Sequence, residues 1–147
     1  MPLPAFTSKG DLPAGIHRAS LPEVLARFGV GTARRRVVAQ RLERIHRIAD
    51  RTGHLARCVV FGSFVTDKSD PNDVDIVLVM DNDFDVNQMT GEERLLFDHA
   101  AADAHFGASV FWVRTLAMLG GESSFLDHWQ IKRDGDRRGI VEIVETP

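Results

Sequence analysis

Val59-Val60-Phe61-Gly62-Ser63 and Asp73-Val74-Asp75-Ile76-Val77-Leu78-Val79-Met80, separated by nine residues, are the stretches on which the fold turns. An apolar run ends at a Gly-Ser pair, and a second begins with two carboxylates spaced i, i+2. In a strand that spacing puts both carboxylates on one face, because side chains alternate with period two. Two neighbouring anions repel each other, and a divalent cation between them removes the conflict. Val74 and Ile76 point the other way, toward a core. Glycine lets backbone N–H groups approach a phosphate closely. A phosphate cradle beside a carboxylate pair describes metal-dependent phosphoryl or nucleotidyl chemistry.

In order and spacing, Gly62-Ser63 followed by Asp73-x-Asp75 resembles the signature of the DNA polymerase beta-like nucleotidyltransferase superfamily, and the length is similar to its minimal nucleotidyltransferases. Leu12-Pro13-Ala14-Gly15-Ile16-His17, Phe125-Leu126-Asp127-His128-Trp129-Gln130 and Gly139-Ile140-Val141 resemble a little-characterised bacterial family within it. The resemblance implies an α+β, nucleotidyltransferase-like fold: a small mixed β-sheet flanked by helices. It also implies an enzyme that moves a nucleoside monophosphate from an NTP to a hydroxyl on RNA, protein or a small molecule, with Mg2+ or Mn2+ as cofactor. Gly62 and Ser63 would hold the triphosphate, and Asp73 and Asp75 would be the catalytic metal ligands. Lys68 is a candidate triphosphate contact, or a solvated loop lysine. A toxin–antitoxin or phage-defence setting, with a cognate antitoxin-type protein partner, is implied in the same way.

One feature departs from that pattern. The third carboxylate of the superfamily comes from a following strand, here 108–113, where Ser109 stands instead of an acid. Asp103, Glu122 or Glu142 would be substitutes, with Glu142 on the last strand preferred. Otherwise two carboxylates suffice, or the fold is a catalytically silent nucleotide- or partner-binding module. A metal-dependent nuclease is a weaker third reading.

Composition sets the frame. The 147 residues suit one domain, with an extended arm over 1–19 and a single nucleotidyltransferase-like domain over 20–147. With 44% hydrophobic and 27% charged residues the chain reads as globular. Neither an apolar run of about 18 residues nor a signal peptide is seen, so a cytoplasmic location without membrane partners is expected. Cys58, alone in an apolar strand, reads as a small buried hydrophobe. Residues 1–60 carry 11 Lys and Arg against 4 Asp and Glu, and residues 61–147 carry 7 against 17. The basic part suits a nucleic acid, an NTP or an acidic partner; equally, the two parts neutralise each other in the fold.

Outward from the central stretch, strands are expected over 55–61, 74–80, 108–113 and 139–144. A short helix should follow Gly62-Ser63 over 64–67. Ser20-Leu21-Pro22-Glu23 is a capping box opening a helix that stops at Gly29. Thr32 should cap a helix to about Thr52, with Val38, Leu42, Ile45 and Ala49 as its apolar stripe. Its other face carries Arg34, Arg35, Arg36, Arg41, Arg44, Arg47 and Arg51, a nucleic-acid surface or a solvated face. Thr90-Gly91-Glu92-Glu93 should cap a helix running to about His105. Ser123 or Ser124 opens a helix to Trp129, or Trp129 and Ile131 enter a hairpin turning at Asp134-Gly135. The cluster Lys132, Arg133, Arg137 and Arg138 grips phosphates or decorates that turn. Phe125 and Trp129 read as core, and the six histidines as surface or capping residues.

Overall fold

The computed structural model describes residues 3–118, 120–132 and 134–145, apart from the side chains of Glu122 and Ser123. Five strands form one mixed sheet: β1 (Ile16–Ala19), β2 (Leu55–Phe61), β3 (Asp75–Met80), β4 (Ser109–Arg114) and β5 (Ile140–Ile143). Their order is β1-β5-β2-β3-β4; β1 and β4 run parallel to their neighbours, while β2 is antiparallel to both β5 and β3. The helices are α1 (Leu21–Phe28), α2 (Ala33–Arg51), α3 (Gly91–Leu96), α4 (His99–Phe106) and α5 (Gly121–His128). The chain is thus a mixed α+β protein. Among the described residues no helix is long and apolar enough to cross a membrane.

Strand alternation divides the core in two. Cys58, Val60, Ile76, Leu78, Val110 and Val141 face a layer built from α1 to α4. Val59, Val77, Val79 and Ile140 face the other way and pack against Leu126 of α5 and Met118. Val38, Leu42, Ile45 and Ala49 are all buried, so the apolar stripe seats α2 on the sheet. The Ser20 hydroxyl accepts from the Glu23 N–H while the Glu23 carboxylate accepts from the Ser20 N–H, completing the capping box of α1. Thr32 accepts from the Arg35 N–H and starts α2.

Three expectations change. Residues 16–19, read as part of an extended arm, form edge strand β1 because β5 offers them a parallel partner. The helix expected from Thr90 to His105 is two helices, and Thr90 makes no side-chain cap. Asp98 instead caps α4 by accepting from the Ala101 N–H at 3.0 Å, and the Trp112 indole donates to the Phe97 carbonyl exposed at the break, 2.9 Å away. Arg35, placed with the solvated arginines, is 7% exposed. At the tail both alternatives contribute: α5 ends at His128, and Ile131 bridges Arg137 beyond it. Arg133 lies outside the described residues.

Candidate functional site

Gly62 ends β2 with φ of +78°, a region that L side chains avoid. A Cβ there would also overlap the Asp75 carboxylate, so glycine is what allows β2 and the start of β3 to meet. Ser63–Val65 is a single 3-10 turn in place of the helix expected over 64–67. A phosphate there would meet individual backbone N–H groups rather than a helix dipole.

Arg35 fixes the segment that follows. Its guanidinium donates to the carbonyls of Phe64 at 2.8 Å, Thr66 at 2.6 Å and Lys68 at 3.1 Å, and to Phe28 at 3.0 Å at the end of α1. Burial holds its pKa below the ordinary arginine value. From the other side, Asp11 of the N-terminal arm bridges Thr66, and the Asp67 N–H donates to the Gly10 carbonyl at 2.9 Å. The turn carrying Gly62 and Ser63 is therefore held from two directions.

Asp75 opens β3, in register with Phe61 of β2 and Ser109 of β4. Asp73 precedes the strand, and the Ser109 hydroxyl donates to its Oδ2 at 3.0 Å. The structure thus brings Gly62, Ser63, Asp73 and Asp75 together and seats Ser109 beside both carboxylates. Glu142 is not brought there. It pairs with Val59, two residues down β2 from the partner of Asp75, which places it about 12 Å from Asp75 by strand spacing and rise. Its carboxylate instead accepts from Arg57 at 2.7 and 3.0 Å, with Arg18 at 3.3 Å. Asp103 is exposed on α4, and the Glu122 side chain lies outside the described residues.

A cleft of about 680 Å³ opens beside this arrangement, and Asp73 is not among the residues that line it. Gly62, Ser63, Asp75 and Ser109 line it together with the cations Lys68, Lys132 and Arg138. Asp11 tethers Lys132 at 3.1 Å and approaches Arg138 at 3.9 Å. Arg137 turns instead to Asp127, whose carboxyl it holds below the usual carboxylate range. Aromatic residues form a further wall, with Trp129 centred 4.6 Å from Phe61 and 5.3 Å from Phe111. Trp129 and Phe125 do pack as core, and Trp129 also reaches the cleft. His99 and His128, exposed as expected of them, line it as well. Cys58 is buried far from this chemistry, its thiol pushed up to about 12 by loss of solvent, which leaves it protonated and inert.

Asp11, Arg35, His99 and Phe111 escaped the sequence reading. Phe111 alone had a signal, its i+2 spacing from Ser109, which shares a face with Asp75 once the parallel register is known. Among the described residues no group of three or more His, Cys, Asp or Glu is arranged to hold a metal. Asp73 and Asp75 do offer the hard oxygen donors that Mg2+ takes, in the number it uses when phosphates and water complete its shell.

A model of the family DUF6932, described as a family of unknown function, matches residues 4–144. No curated protein and no solved structure matches the chain.

Proposed function

The chain belongs to DUF6932, a family of unknown function, and from the cleft we propose a metal-dependent nucleotidyltransferase of nucleotidyltransferase-like fold. The observation that carries this reading is the packing of Gly62 on the Asp75 carboxylate, in a cleft that also presents Lys68, Lys132 and Arg138, with Asp73 held by Ser109 at its edge. Anionic and cationic groups in one recess suit a polyphosphate bound with a divalent cation.

In this reading Asp73 and Asp75 would hold one Mg2+ or Mn2+, which when bound supplies charge neutralisation for the phosphates. The chain's own groups then have distinct tasks. Backbone N–H groups at Gly62 and Ser63 bind phosphate oxygens. Lys132 and Arg138 place positive charge near the pyrophosphate that leaves, and Lys68 adds to it. Ser109 keeps Asp73 oriented. The acceptor hydroxyl belongs to RNA, protein or a small molecule. Arg34, Arg36, Arg47 and Arg51, exposed on α2, suit an anionic acceptor or an acidic, antitoxin-type protein partner.

A second reading, a nucleotide-binding module without catalysis, is favoured by one observation: Ser109 fills the register position beside Asp75 where a third carboxylate would complete a two-metal site. Incubation with each α-labelled NTP, Mg2+ or Mn2+ and total RNA separates the two. Transfer of label with release of pyrophosphate, lost in Asp73→Ala/Asp75→Ala, is the result expected of the enzyme. Nucleotide binding without transfer for any NTP selects the module.

A further inference from the structure

Phe111 lies on edge strand β4, on the sheet face that α5 covers, yet it is 38% exposed. Its surroundings are specific. The His99 ring stands 4.8 Å away, tilted by 31°, and Trp129 is centred 5.3 Å away. All three rings line the cleft that holds Ser63 and Asp75. The His99 Nδ1 lies 3.1 Å from the Val110 carbonyl, and since a carbonyl only accepts, Nδ1 carries the proton and the ring orientation is fixed. The Trp129 indole N–H is buried and has no partner among the described residues.

Placement along the strand adds scale. Phe111 follows Ser109 by two residues on the same face, about 6.5 Å along β4. Asp75 stands beside one end of that interval and the partly exposed Phe111 ring at the other, the separation that a sugar imposes between a phosphate and a base. We propose that Phe111, with His99 and Trp129 around it, is the stacking platform for the base of a nucleoside triphosphate whose phosphates lie at Gly62, Ser63 and Asp75. This rests on the nucleotide reading above and deepens it: the ligand is a base-bearing nucleotide, recognised by its ring, and not a bare polyphosphate or a phosphorylated sugar.

The test compares calorimetric binding of each of the four Mg2+-NTPs with that of Mg2+-tripolyphosphate. The wild type, Phe111→Leu and Phe111→Ala are measured, with circular dichroism as the check on folding. Leucine keeps apolar volume while removing the ring. For the wild type, at least one NTP should bind tighter than tripolyphosphate by about fivefold or more, the effect of stacking one base. In both variants that margin should close while tripolyphosphate affinity stays unchanged. Equal wild-type affinities for NTP and tripolyphosphate, or a margin that survives in both folded variants, would overturn the platform and leave the phosphate site standing. Failure of the wild type to bind any NTP or tripolyphosphate would overturn the nucleotide reading and the platform with it.

Discussion

At Gly62 the positive φ and the Asp75 carboxylate occupying the space of a Cβ act together. Gly62→Ala should lower stability by about 1–3 kcal/mol, the cost of a strained backbone conformation, and also push Asp75 out of place. Thermal unfolding together with NTP titration checks this: a lower Tm with weakened binding is expected, and an unchanged Tm would contradict it. His46 offers a prediction about pH. Burial holds its pKa below the ordinary histidine value, with Asp50 and Glu145 pulling weakly the other way. The folded chain therefore binds that proton less well than the unfolded chain does. The contribution of His46 is complete above the unfolded value of about 6.5 and is lost as pH falls through it. Tm measured from pH 7.5 to 5.5 should fall, and His46→Gln should flatten that fall.

Among the elements, β5 carries an ion pair that settles where Glu142 belongs. Glu142 is 7% exposed, and its carboxylate takes two hydrogen bonds from Arg57. Glu142→Gln should cost about 2–4 kcal/mol by leaving a poorly compensated arginine, with NTP affinity unaffected. Chemical denaturation and ligand titration of the same variant measure both; lost affinity in a folded variant would place Glu142 at the site. The elements legible in the sequence are those with local signals: β2 and β3 from their apolar runs, α1 and α2 from caps and an apolar stripe. Edge strand β1 has only four residues and owes its form to β5, more than a hundred positions away. The break between α3 and α4 depends on the Trp112 indole reaching the Phe97 carbonyl, a tertiary contact that no helical period reports.

Over the whole molecule, the basic first part and the acidic second part meet repeatedly. Lys9 pairs with Asp136, Arg18 and Arg57 with Glu142, and Arg44 with Glu92. Part of the charge asymmetry is thus neutralised within the fold. The cleft shows the same division of legibility. Gly62, Ser63, Asp73 and Asp75 were readable because two adjacent strands fix them by spacing. Lys132 and Arg138 stand out in the sequence as part of a basic cluster, but only the folded chain brings them, with His99 and Phe111, to the cleft. The measurement that bears most directly on the central claim is a Mn2+ titration followed by electron paramagnetic resonance, with and without ATP, on the wild type and on Asp73→Asn/Asp75→Asn. Binding of Mn2+ that ATP strengthens, lost in the folded double variant, is the predicted result. Equal Mn2+ and ATP binding by the two proteins would show that these carboxylates do not form the site.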